Sequence, residues 1–128
     1  MTTTMLTLPQ GQAICYSGYR HGQSPGDRIY PSMAEIREDL QILQRNWQLL
    51  RLYDCSTHAE RVLQVIRDDQ LPFKVMLGAY LGAEMNNFGC PWGATYTEEQ
   101  LEASRSENQA ESDRLIALAG SYSDIVFS

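Results

Sequence analysis

Five side chains that could bind or transform a polar ligand follow two short apolar runs. Tyr53 and Asp54 close the run LLRLY, and Glu84, Asn86 and Asn87 come just after VMLGAYL. A carboxylate after each run is the minimum that acid–base or nucleophilic cleavage requires, one group to give a proton and the other to attack or to activate water. Tyr16 and Ser17 close a third apolar stretch, AICYS. Other constellations are weaker. Ser17 with His21 has no Gly-x-Ser-x-Gly elbow to expose a nucleophile. Cys55-x-x-His58 with Cys90 lacks a fourth ligand and the close cysteine pair of a structural zinc site, so no metal is expected. No GxGxxG follows the first run and no P-loop motif occurs, so nucleotide cofactors have no support.

The elements that must position these residues alternate. Residues 13–17 read as a strand, followed by a long connection over 18–31 that carries Arg20, His21, Gln23, Asp27 and Arg28; connections of that length are often functional. Ser32 with Glu35 three residues on is a capping box, and Met33, Ile36, Leu40 and Leu43 then fall on one helical stripe. The run LLRLY predicts a second strand. HAERVLQVIRDD places Ala59, Val62, Leu63 and Ile66 on one helix face, and VMLGAYL predicts a third strand over 75–81. The loop FGCPWGATY carries Cys90, Trp92 and Tyr96. Thr97 with Gln100 is a second capping box, opening a helix from Glu98 to about residue 119, with Gly120 as its C-cap. DIVF, residues 124–127, predicts a fourth strand. Apolar strands joined by amphipathic crossover helices imply a parallel sheet covered by helices. Ligands of such folds bind beyond the carboxyl ends of the strands, where the five side chains lie.

The 128 residues suffice for one domain, with residues 1–12 as a polar lead-in and 13–128 as the folded part. A net charge of −6 with scattered basic residues argues against nucleic-acid binding. Three cysteines do not make a disulfide framework. Neither a signal-peptide pattern nor a run of roughly 20 apolar residues is present, so a cytoplasmic protein without a membrane span is expected. Four β/α units are about half of an eight-unit barrel of roughly 250 residues. The expected architecture is therefore the first four strands and three helices of a (β/α)8 TIM-barrel protein.

Over residues 11–128, the segments ICYSGYR, YPSMAEIREDLQIL, LLRLYDC, STHAERVLQVIR, KVMLGAYLGAEMNN, FGCPWG and RLIALAGSYSDIVFS resemble the N-terminal half of a bacterial glycoside hydrolase family 17 protein. RLYDC and KVMLGAYLGAE are the most specific parts. The resemblance implies a (β/α)8 barrel and a retaining, metal-free and cofactor-free cleavage of β-1,3-glucan by two Glu residues, about 5 to 5.5 Å apart. In the family one Glu sits in a V-G-N-E segment after the fourth strand and the other near a Gly-Trp-Pro segment. This sequence ends at DIVFS, just short of the first, so no catalytic residue is expected here. The resemblance implies that Tyr53 faces the substrate cleft, where an aromatic face suits the C–H edges of a sugar ring. Asp54, Glu84, Tyr16 and Asn86 are the further expected contacts to a glucan oligosaccharide or polysaccharide. The alternative is a non-catalytic glucan-binding half-barrel that associates with itself or with a missing C-terminal half.

Overall fold

The computed structural model describes residues 7–128. Three short strands, β1 (Ala13–Cys15), β2 (Leu49–Leu52) and β3 (Lys74–Leu77), form one parallel sheet in the order β1-β2-β3. Ala13 lies beside Leu49, and Leu49 beside Lys74. Three helices, α1 (Met33–Leu43), α2 (Thr57–Asp68) and α3 (Glu98–Ser121), follow the strands in turn. The first six residues of the expected lead-in lie outside the described residues. Its last residue, Gln12, is tied down: its N–H donates to the Gln48 side chain and its carbonyl accepts from Gln48 and Leu49.

The local signals act as expected at the helix starts. The Ser32 hydroxyl accepts from the Glu35 N–H while the Glu35 carboxylate accepts from the Ser32 N–H, and Thr97 with Gln100 repeats the arrangement on α3. Each box satisfies two of the amides that a helix start otherwise leaves unpaired.

Strand alternation decides which face is covered. Leu50, Leu52, Val75 and Leu77 point to the helices and are buried with Ile36 and Leu40 of α1, with Ala59, Val62, Leu63 and Ile66 of α2, and with Phe73. Leu115 and Leu118 of α3 pack on the edge of this core. The opposite face, with Ala13, Cys15, Arg51, Lys74 and Met76, is bare. A shallow apolar hollow of about 260 Å³ there is lined by Ala13, Cys15, Leu49, Arg51, Met76 and Phe127 among others. Parallel sheets ordinarily carry cover on both faces.

The architecture corrects the expected one. The chain is a small open α/β domain with a three-stranded sheet, not four strands of an eight-unit barrel. The predicted fourth strand reduces to a single parallel bridge between Val75 and Val126. The cause is local: residues 122–125 form a turn closed by the Ile125 and Val126 amides on the Tyr122 carbonyl, which leaves only the last three residues extended. These run beside β3, with the Phe127 N–H donating to Val75 and the Leu77 N–H to Ser128. Further boundaries differ, and β1 ends at Cys15 rather than at residue 17. β3 ends at Leu77 rather than at residue 81, and Gly120 lies inside α3, which is capped by Tyr122. Among the described residues no helix is long and apolar enough to cross a membrane.

Candidate functional site

Tyr53 follows the last residue of β2 and stands on the bare side of the sheet, 48% exposed. The Arg51 guanidinium lies 5.3 Å from its ring centroid, a cation–π distance that orients the ring while leaving much of it open. The neighbouring Cys15 thiol, ahead of burial, holds the Tyr53 phenol above its ordinary pKa, so the hydroxyl is a neutral donor at physiological pH. Asp54 turns the chain from β2 into α2. Its Oδ1 accepts from the Ser56 hydroxyl at 2.6 Å and from the Ser56 N–H at 3.1 Å, and Ser56 in turn caps α2 by accepting from His58 N–H. Asp54 thus braces the strand-to-helix turn with one oxygen.

The other expected site residues fall in different surroundings. Tyr16 is buried, with its hydroxyl donating to Asp39 at 2.8 Å. Burial first, then the bond to Asp39, raises its pKa. Glu84 is exposed on the loop after β3; its Oε1 accepts from Asn108 of α3 and its carbonyl accepts from Arg105. Asn86 closes the neck of a loop: its amide donates to the Tyr96 carbonyl, and its oxygen accepts from the Tyr96 N–H. The loop beyond that neck holds Phe88 and Trp92 out in solvent.

The weaker candidates resolve by their bonds. The buried Cys55 thiol donates to the Gly78 carbonyl, and burial pushes its pKa up to about 12, so it is no thiolate. His58 is also buried, and its Nε2 accepts the Gly18 N–H at 3.0 Å. Among the described residues no group of three or more His, Cys, Asp and Glu could hold a metal ion.

His58 gives the domain an acid-sensitive joint. Nε2 can accept only if the ring is neutral, and burial lowers the pKa of His58 against the pull of Asp54 and Asp39. Protonation would also place a cation in the first turn of α2, where the helix dipole opposes it. With the folded value below the unfolded one, the unfolded chain binds the proton first. The stabilisation is therefore complete above about pH 6.5 and is lost as pH falls through the folded value. The melting temperature is expected to drop between pH 7.5 and 5 in the wild type, and to drop less in His58→Gln, whose amide oxygen can still accept from Gly18. Identical pH profiles for the two proteins would remove His58 from this role.

Sequence reasoning missed the residues that join the strand tips. Glu111 of α3 is buried, and its Oε1 accepts from the N–H of Cys55, just after Asp54, and from the N–H of Tyr80 in the loop after β3, at 2.8 and 3.2 Å. One turn earlier, Asn108 accepts from the Gly82 N–H and donates to the Gly82 carbonyl and to Glu84. Gly78 completes the junction: its N–H donates to the Leu52 carbonyl, and a Cβ there would lie 2.7 Å from that oxygen. The signal lay in the α3 stripe, where polar Asn108 and Glu111 share a face with Leu101, Leu115 and Leu118.

A parallel α/β sheet thus carries a polar and aromatic surface at its strand tips. No protein-family model matches the chain, and no curated protein matches it. Among solved structures, the crystal structure of an endo-laminarinase from Formosa Hel1_33_131 is similar, with a TM-score of 0.66 and 30% sequence identity, and that likeness makes the fold glycoside hydrolase-like. The match covers 91% of this chain and 29% of that one, so the chain spans less than a third of the length of that protein.

Proposed function

We propose that this chain is the amino-terminal α/β portion of a family 17 glycoside hydrolase and that its strand tips supply part of a β-1,3-glucan-binding surface. The observation that carries the reading is the 30% identity with an endo-laminarinase over 91% of the chain. The segments RLYDC and KVMLGAYLGAE, through which the sequence resembles that family, span the tips of β2 and β3 and the start of the loops beyond them. Tyr53 is the platform in this reading, because its face is open and its ring is oriented by Arg51. In this reading Asp54 and the Glu84 and Asn86 loop supply carboxylate and amide partners for sugar hydroxyls.

Asp54 and Glu84 each already have an oxygen committed to a structural hydrogen bond. In this reading neither cuts the polymer. A retaining mechanism needs a proton donor and a nucleophile about 5 to 5.5 Å apart, and both belong to the remainder of the enzyme. Cleavage by two carboxylates needs no metal or nucleotide.

The test is binding. Calorimetric titration with laminari-oligosaccharide is expected to show association, and Tyr53→Ala is expected to weaken it by about 0.5–1.5 kcal/mol, the scale of one aromatic contact. Unaltered affinity in Tyr53→Ala would take that ring out of the site.

A further inference from the structure

Two polar side chains occupy positions on α3 where an ordinary amphipathic helix would carry leucine. Leu101, Asn108, Glu111, Leu115 and Leu118 are spaced to share one face, and Asn108 and Glu111 are as deeply buried as Leu101. A buried carboxylate is costly unless donors surround it. Burial alone pushes the Glu111 carboxyl up, but the Cys55 N–H, the Arg114 guanidinium and the Tyr80 N–H together outweigh it and hold its pKa below the ordinary value. Arg114 takes Oε2 at 2.7 Å, whereas both backbone amides converge on Oε1.

The two amides belong to different loops. One lies directly behind Tyr53 and Asp54, and the other leads towards Gly82 and Glu84, which Asn108 holds. An acceptor-only group is the chemistry that two converging N–H groups require. We propose that Glu111 and Asn108 are positioning residues, which set the loop after β3 against the tip of β2 and so hold the ligand surface around Tyr53 in register. The proposal rests on the reading of that surface as a glucan site. It adds that the spacing of the surface is determined from behind, by α3, and not by the strands alone.

The experiment titrates laminari-oligosaccharide into ¹⁵N-labelled wild type, Glu111→Leu and Glu111→Gln. Glutamine keeps a carbonyl oxygen for the two amides and gives up only the partly exposed Arg114 pair. At a temperature where circular dichroism shows all three folded, Glu111→Leu is expected to weaken binding about tenfold or more, since misplacement of about 1 Å is costly at a preorganised site. Glu111→Gln is expected to restore most of the affinity. A readout independent of the sugar, and of whether Glu111→Leu folds, is the acid titration of the wild type. The Cys55 and Tyr80 amide resonances are expected to shift together, with a midpoint below the ordinary Glu value of 4.5, and to stay still in Glu111→Gln. Folded Glu111→Leu that binds like wild type overturns the positioning role, as do Cys55 and Tyr80 amides that fail to shift together. Absence of any binding by the wild type overturns the glucan reading instead, and the positioning role with it; a joint amide shift would then leave a purely structural clamp.

Discussion

Phe73→Ala is expected to lower the stability of this domain by about 3–5 kcal/mol, the usual cost of removing a buried phenyl ring. Phe73 is among the largest side chains that are essentially inaccessible, at 1% exposure. It immediately precedes β3 and belongs to the same core as Ile36 and Leu40 of α1 and Leu63 and Ile66 of α2. The ring therefore lies in the core that the sheet shares with α1 and α2. Total stabilities of domains are about 5–15 kcal/mol, so the loss is a large share of the whole. At roughly 4 °C per kcal/mol, the midpoint is expected to fall by about 12–20 °C in a calorimetric scan. Phe73→Leu, which retains most of the volume, serves as the control. A fall of only a degree or two in Phe73→Ala would show that the ring does not carry the packing of these layers.

Gly78→Ala is expected to cost about 1–3 kcal/mol by overpacking, and to act at the proposed ligand surface as well. The added methyl would sit 2.7 Å from the Leu52 carbonyl oxygen and 3.2 Å from that of Tyr53. These are backbone atoms and cannot swing aside as a flexible side chain would. The Leu52 carbonyl also accepts the Gly78 N–H, and the Gly78 carbonyl accepts the Cys55 thiol, so relief of the clash disturbs both strand ends at once. Urea unfolding with an unchanged m-value and a reduced midpoint is the expected result, with oligosaccharide affinity reduced alongside it. A midpoint equal to wild type would mean that the two strand ends separate at no cost.

The capping boxes at Ser32 and Thr97 and the apolar face of α2 depend on residues within a turn or two, so spacing alone reveals them. The role proposed for Tyr53 rests on resemblance, and its exposure is a property of the bare sheet face, which spacing does not disclose. VMLGAYL looked like one strand because an apolar run has the same letters whether or not it is paired. The strand ends at Leu77: the Gly78 N–H still bonds the Leu52 carbonyl, but the Tyr80 amide goes to a helix distant in sequence. DIVF had the composition of a strand, but the turn after α3 consumed its first half. Asn108 and Glu111 resembled solvent-facing residues of a polar helix, since their partners are amides contributed by loops about 25 to 55 residues away.

The bare side of the sheet has a thermodynamic consequence. Unfolding exposes apolar surface to water, and that exposure makes heat capacity rise, ordinarily by about 12–15 cal/mol/K per residue. Cys15, Arg51, Tyr53 and Met76 are already partly wet in the native state, Tyr53 at 48% and Met76 at 41%, and expose less on unfolding than sealed side chains would. The increment per residue therefore falls short of the ordinary one, and the curve of free energy against temperature is shallower. Cooling or warming by a few degrees alters the fraction folded less than it would for a domain with both sides of its sheet sealed.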